Sequence, residues 1–235
     1  MKLEEKRDYV RRFFSSTGDT YDKIVSLCTL GIDGLWKQSI LSALDHPVRV
    51  LDLACGTGIL TLAIAKRYPE SQVIGVDITE GYLDVARRKA GLLHSKNVQF
   101  IRQWAEEFIA GELFDSITSS YLAKYADLPH LVRNSVAMLK PGGLLLFHDF
   151  TYPESRIIAP VWELYFKILQ RIGPPIYPQW RDVFFELPEL IRETPWVEEL
   201  TSVMRNNHLT DIRVKTLTLQ GATLITGRKA SSSVS

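Results

Sequence analysis

The chain has only two cysteines in 235 residues, Cys28 and Cys55, too few for a disulfide framework and at no spacing that would ligate a metal. Neither is assigned a chemical role, and no metal is expected. An excess of positive charge is also missing: 28 Lys plus Arg stand against 27 Asp plus Glu, so no field is available to neutralise phosphates and a nucleic-acid partner is disfavoured. The opening Met1-Lys-Leu-Glu-Glu-Lys-Arg7 lacks the apolar core of a signal peptide, and no later run is long enough to span a bilayer. A cytoplasmic protein is expected. The remaining usage, 46% hydrophobic and 23% charged, is that of a globular chain with a substantial core. One domain is expected over residues 1–229, with residues 230–235 a disordered serine-rich tail.

The organising stretch is Val48-Arg-Val-Leu-Asp-Leu-Ala-Cys-Gly-Thr-Gly58, followed at once by the apolar-periodic Ile59 to Tyr68. An apolar run, a small-residue loop and a periodic segment predict a buried parallel strand, a tight turn and a helix, with Gly56 and Gly58 freeing the backbone for a ligand at the helix N-terminus. The next strand, Gln72-Val-Ile-Gly-Val-Asp77, ends in a carboxylate 19 residues after Gly58, where an open α/β sheet sets an acid against ribose hydroxyls. Two nucleotide cofactors use such an arrangement. The dinucleotide fingerprint G-x-G-x-x-G needs a further glycine, which the run Ala54-Cys-Gly-Thr-Gly-Ile-Leu60 lacks. The run instead resembles motif I of class I S-adenosylmethionine (SAM) methyltransferases, with Asp52 in the acidic position and Ala54 replacing the usual first glycine.

Strands at Asn97 to Ile101, Phe114 to Ser119 and Leu144 to Asp149 alternate with helices at Tyr82 to Leu93 and Asp127 to Leu139, which predicts a doubly wound, mostly parallel α/β sheet. Residues 1–46 form an N-terminal helical cap. Its first sixteen residues mix Arg7, Arg11 and Arg12 with Tyr9, Val10, Phe13 and Phe14, a pattern open to two readings, a helix covering the cofactor or one leaning on a membrane surface. Residues 150–195 carry seven of the eleven prolines and many aromatics, and predict a lid built from an aromatic helix, Ile158 to Ile172, and a proline-rich turn. A helix from Pro195 to Asn207 and strands at Ile212 to Leu217 and Thr223 to Thr226 complete the chain.

A closer resemblance covers nearly all of it. Phe13 to Lys37, with Tyr21-Asp22, Gly31-Ile32 and Leu35-Trp-Lys37, is similar to the N-terminal signature of the ubiquinone/menaquinone biosynthesis C-methyltransferases, and Leu51 to Gly58, Leu139-Lys-Pro-Gly-Gly143, Asp149-Phe150 and Arg171-Ile-Gly173 continue the match. The resemblance implies a Rossmann-like fold and SAM as cofactor, held by Asp52, Ala54, Gly56, Gly58, Asp77, Ile78, Trp104, Ala105 and Tyr21. It further implies a lipophilic quinol as methyl acceptor. Three positions depart from the pattern: Tyr121-Leu-Ala-Lys124 replaces Gly-Leu-Arg-Asn, Trp104 replaces an acid or amide, and Val25 replaces an asparagine.

Carbon methylation of a phenol-like ring needs a proton removed from a hydroxyl whose reference pKa is about 10, so a carboxylate or imidazole near the strand ends is the candidate base. Asp149 and His148 are the choices, with Asp149 preferred because it matches the family acid. The acceptor pocket is expected among Tyr121, Asp149, Trp162, Tyr165 and Phe166. Two alternatives stay open, a SAM methyltransferase for another hydrophobic small molecule and a catalytically silent SAM-binding partner protein.

Overall fold

The computed structural model describes residues 3–14 and 17–231. Met1, Lys2, the Ser15-Ser16 part of the expected turn and residues 232–235 of the expected tail lie outside the described residues. In chain order the elements are α1 (Leu3–Phe14), α2 (Gly18–Cys28), α3 (Asp33–Ala43), β1 (Arg49–Leu53), α4 (Ile59–Arg67), β2 (Gln72–Asp77), α5 (Glu80–Leu92), β3 (Val98–Arg102), β4 (Phe114–Ser120), α6 (Leu128–Met138), β5 (Leu139–Phe150), α7 (Ile158–Ile176), α8 (Arg181–Glu193), α9 (Trp196–Asn206), β6 (Leu209–Leu217) and β7 (Ala222–Lys229).

The strands make one sheet in the order β3-β2-β1-β4-β5-β7-β6. β1 pairs in parallel with β2 and β4, whereas β7 runs antiparallel to β5 and β6. The apolar runs of β1 and β2 are buried on both faces, as parallel strands covered by helices require. One face packs Leu51, Ile117, Leu145 and Trp196 into the larger core; the other packs Val50, Ile64, Leu146 and Trp36. The edge strand β6 is mostly exposed and bears Arg213 and Lys215, charges that discourage pairing with another chain. Chain order reverses between β1 and β4, so the crevice beyond their carboxyl ends is where an open α/β sheet accepts a ligand.

Two elements differ from the sequence expectation. Lys140 to Gly143 lies within β5 rather than before it, because a register shift between Phe114 and Ser116 on β4 absorbs the extra residues and Gly142 takes a φ of +78°. The lid is more helical than its prolines suggest. α7 continues through Pro174 and Pro175, where the lost N–H groups free only carbonyls of its last turns, and the expected proline-rich turn is largely α8. Val183, Phe184, Leu187, Pro188 and Ile191 recur with helical spacing, and α8 buries this stripe against α7. The helices meet at Gly173, where a Cβ would stand 2.5 Å from the Phe184 ring. Both ends of the lid come together: Thr151 N–H donates to Gly221 O at 3.1 Å and the Trp196 indole donates to Phe150 O at 2.8 Å.

Candidate functional site

The chain leaves β1 through Ala54 and turns at Cys55-Gly-Thr-Gly58 into α4. Ala54, Gly56 and Gly58 hold left-handed backbone, with φ of 55°, 55° and 78°. That conformation costs an L side chain about 1 to 2 kcal/mol, so Ala54 carries strain that a glycine would avoid. A Cβ on Gly58 would also meet Ala86 Cβ of α5 at 3.0 Å, whereas at Gly56 the nearest atom is the Tyr82 ring at 3.7 Å. Gly58 serves packing. Gly56 leaves room for a ligand.

Asp77, at the end of β2, ties this loop in place: its Oδ2 accepts from Gly56 N–H at 2.9 Å and its Oδ1 from Thr79 N–H at 2.8 Å. Burial pushes its pKa up, and those backbone donors pull it back. Asp52 has a different task. It is buried beneath the loop, accepting from Thr61 Oγ1 at 2.6 Å and Thr118 Oγ1 at 3.0 Å, and burial pushes its pKa up to about 6 against the pull of those hydroxyls. It therefore knits β1 to α4 and β4 and does not face the cleft.

A cleft with about 1100 Å³ of empty space, the open solvent at its mouth included, lies over these strand ends. Ala54, Gly56, Asp77, Ile78, Trp104, Ala105 and Tyr21 line one part of it. Tyr82 of α5, 5.0 Å from the Tyr21 ring, anchors this part through its hydroxyl to Thr17 Oγ1 at 2.6 Å. The roof is Val10 and Phe14 of α1, Ile24 and Val25 of α2, and Trp180, Val183 and Leu187 of the lid. α1 also buries Phe13, so this part of its apolar face packs on the domain.

The rest of the cleft is lined by Ser120, Tyr121, Leu122, Lys124, Tyr125 and Phe150. Tyr121 stacks on Phe150 with centroids 4.7 Å apart and has a φ of 67°, strained for a residue with a bulky side chain. Its hydroxyl donates to Asp33 Oδ1 at 2.5 Å. Lys37 donates both to the same Asp33 oxygen and to Ser120 Oγ, each at 2.8 Å. Ser120 Oγ lies 2.8 Å from His148 Nδ1. Nε2, the other ring nitrogen, is buried without a partner. Burial and the neighbouring charges of Lys37 and Lys124 hold the His148 pKa well below its ordinary value.

Lys124 contacts Asp149 Oδ1, and both side chains are almost wholly buried. Asp149 Oδ1 also accepts from Phe150 N–H at 2.8 Å, while Oδ2 has no partner. Burial holds the Lys124 pKa well below that of a free lysine.

The expected acceptor pocket is thus only partly assembled as anticipated. Tyr121 lines the cleft, whereas Asp149 and His148 stand behind Lys124 and Ser120. Trp162, Tyr165 and Phe166 are not on its wall: Trp162 and Phe166 pack on each other with centroids 4.2 Å apart within the lid core, and the Tyr165 hydroxyl donates to Leu27 O at 2.8 Å. They turn inward because α8 occupies the position that a flexible turn would have left open. Sequence reasoning missed Lys124, Ser120, Tyr82 and Trp180. The available signal for Lys124 was a single lysine within Leu122-Ala-Lys-Tyr-Ala126, otherwise apolar and wholly buried.

The residues present fit a nucleoside cofactor of the SAM type. Asp77 uses one acceptor position on each oxygen and keeps others for ribose hydroxyls, Gly56 leaves space beside it, and the planar Trp104 and apolar Ile78 suit a purine. Among the described residues no group of three or more His, Cys, Asp or Glu side chains could hold a metal ion.

The model of the ubiE/COQ5 methyltransferase family matches residues 1–229. The chain is similar to the ubiquinone/menaquinone biosynthesis C-methyltransferase UbiE of Proteus mirabilis, 34% identical over 210 residues, covering 86% of this chain and 82% of that one. It is also similar to the demethylmenaquinone methyltransferase of Deinococcus radiodurans, 30% identical over 215 residues, covering 86% and 85%. Among solved structures it resembles magnesium protoporphyrin IX methyltransferase from Synechocystis with bound S-adenosylhomocysteine, at a TM-score of 0.66 and 17% identity over 95% of this chain and 100% of that one. Phosphoethanolamine N-methyltransferase 2 of Haemonchus contortus in complex with SAM matches at a TM-score of 0.61 and 16% identity, over 83% and 52%. These structural likenesses show the fold.

Proposed function

The chain belongs to the ubiE/COQ5 methyltransferase family and is a SAM-dependent methyltransferase, and from that premise we propose that it methylates a ring carbon of a lipophilic quinol. SAM, when bound, supplies a methyl group already activated at a sulfonium centre. The protein's work is alignment, exclusion of water and management of protons. For holding SAM we assign Asp77 to the ribose hydroxyls, Gly56 and Ala54 to close backbone approach, and Ile78, Trp104, Ala105 and Tyr21 to the walls around it. Asp52 and Gly58 support this set from beneath.

The observation that carries the acceptor reading is a cleft with aromatic and aliphatic walls and a buried, aspartate-paired lysine on its far side. A phenolic hydroxyl with a pKa of about 10 is scarcely ionised at neutral pH. The Lys124–Asp149 pair, neutral as a whole, holds one proton between Nζ and Oδ1 at rest. Nζ, on the cleft side, accepts the hydroxyl proton, which leaves a cationic pair beside the phenolate it has created. Such positioned proton transfer is worth about 10² to 10⁴ in rate, and the low dielectric around Lys124 strengthens the resulting attraction. Asp149 is thereby a positioning residue for the proton on Lys124, and Ser120 with His148 holds the neighbouring wall.

A ring with an isoprenoid tail would bury its chain against Ile24, Val25, Phe14 and Leu187, at roughly 0.8 kcal/mol per CH₂. Turnover of labelled SAM with quinols of increasing prenyl length tests this. kcat/KM should climb steeply over the first isoprene units. A flat series, or turnover confined to a polar acceptor, overturns the quinol reading. Methylation of another hydrophobic ring is then the reading left, favoured by Ala123-Lys124 standing where the resembled family carries Arg-Asn.

A further inference from the structure

Among the described residues no helix is long and apolar enough to cross a membrane, yet α7 presents solvent with an unbroken apolar stripe. Ile157, just before its first residue, then Val161, Leu164, Ile168, Ile172 and Ile176 are each between 44 and 82% exposed. Their spacing of three or four residues puts them on one side of the helix, opposite Phe166, Leu169 and Gly173, which pack into the lid core. At 1.5 Å per residue the nineteen-residue helix carries this stripe over about 28 Å. A soluble surface seldom leaves so many large aliphatic side chains in one line without a use for them.

We propose that this face of α7 docks flat on an anionic lipid bilayer, its aliphatic side chains among the acyl chains and its axis in the interface plane. The charges beside the stripe favour that occupant. Lys167 and Arg171, four residues apart, lie exposed along one flank, and Arg156 is exposed at the N-terminal end. Of the acids nearby, Glu163 is tied to Arg192 at 2.8 Å, and Glu154 precedes the stripe. The surface also borders an element of the cleft wall. The Tyr165 hydroxyl, on α7, donates to Leu27 O in the last turn of α2, and α2 contributes Ile24, Val25 and Cys28 to the cleft wall. Leu30, immediately beyond α2, is 69% exposed. Docking there would bring the α2 side of the cleft close to a bilayer that holds a lipophilic acceptor. That last use rests on the lipophilic-acceptor reading; the docking itself does not.

The test is co-flotation of the whole protein with phosphatidylglycerol/phosphatidylcholine vesicles and with phosphatidylcholine vesicles alone, no acceptor being present. Binding should favour the anionic vesicles and weaken with salt. Leu164→Asp/Ile168→Asp should lower the partition coefficient by more than about tenfold, since each change removes a buried aliphatic side chain and adds a charge repelled by the headgroups. Both positions are exposed, and unchanged SAM binding by calorimetry certifies that the variant is folded. Lys167→Gln/Arg171→Gln should abolish the preference for anionic vesicles. Wild-type protein that stays with neither vesicle, or a doubly substituted protein that floats as wild type does, overturns the proposal. So does a dimer in sedimentation that Leu164→Asp/Ile168→Asp dissolves, because the stripe would then belong to a second copy of the chain. Loss of quinol turnover with docking intact counts against the acceptor reading alone.

Discussion

The two ends of the cleft are built on opposite principles. Around Asp77 the buried carboxylates are satisfied: Asp77 accepts from the backbone N–H groups of Gly56 and Thr79, and Asp52 beneath it accepts from two hydroxyls. Around Lys124 the ionisable groups are drawn from distant parts of the chain, Asp33, Lys37, Ser120, Lys124, His148 and Asp149, and two buried atoms, His148 Nε2 and Asp149 Oδ2, are left without partners. A binding site gains from satisfied, rigid polar groups. A site that moves protons gains from groups whose ionisation is costly and hence close to balance.

The sharpest way to break the contrast is at the lysine. Lys124→Met should lower kcat by about 10² to 10⁴ while leaving SAM affinity within about twofold, as single-turnover kinetics and calorimetry will read. Asp149→Asn leaves the buried lysine without its carboxylate partner, and chemical denaturation should register a loss of about 3 to 5 kcal/mol. Lys124→Met/Asp149→Leu should recover most of that stability without recovering turnover. If the double variant is as active as wild type, the pair is a packing device and the acceptor end does no proton chemistry.

At the other end, Asp77→Ala should weaken SAM binding more than tenfold and leave kcat at saturating SAM much less affected. Each charge-assisted hydrogen bond is worth about 1.5 to 3 kcal/mol, and about 1.4 kcal/mol is tenfold in affinity. Unchanged affinity in calorimetry would remove Asp77 from the cofactor site.

A smaller effect separates Asp52 from both. Its carboxyl titrates at about 6 in the fold and at about 3.9 in the unfolded chain. Between those values the folded state binds more protons, so the Asp52 contribution to stability falls as pH rises through the window, by roughly 2 to 3 kcal/mol. His148 acts in the opposite sense, because its pKa is depressed in the fold and stability is lost as pH drops below about 6.5. The informative quantity is therefore wild type minus Asp52→Asn, measured by urea denaturation from pH 4 to 7. A difference independent of pH would assign Asp52 an ordinary carboxylate pKa.

The smallest effects lie in the loop itself. Gly58→Ala should cost about 1 to 2 kcal/mol in thermal unfolding, from its left-handed backbone and the approach of Ala86. Ala54→Gly should change stability by less than about 1 kcal/mol, since relief of strain is offset by the greater freedom of the unfolded chain.

The same division governs what could be read without coordinates. The strand, turn and helix of the end assigned to the cofactor were legible because their signals are local: a buried strand, a glycine turn and a terminal acid follow one another within thirty residues. Trp104, expected beside the cofactor, lines the cleft. The acceptor end depends on which side chains the topology brings together, and Lys124 meets Asp149 only because β4 and β5 are neighbours. The aromatic residues of the lid were conspicuous, yet their direction was set by α8, a helix hidden by Pro178 and Pro188 and by a stripe interrupted with aromatics. Composition marked the lid, and packing decided which face it shows.

The closure of the lid at its base has a consequence for descent and design. Phe150 and Trp196 are joined by a hydrogen bond although forty-six residues separate them, so the excursion between them starts and finishes at one point on the sheet. Whatever is spliced there need only bridge a short gap, and the entropy of closing a longer or shorter segment changes by only about 0.6 kcal/mol per doubling of length. The sheet and the lid can accordingly diverge at different speeds, and exchanging residues 151–195 between relatives would test whether the lid sets substrate preference.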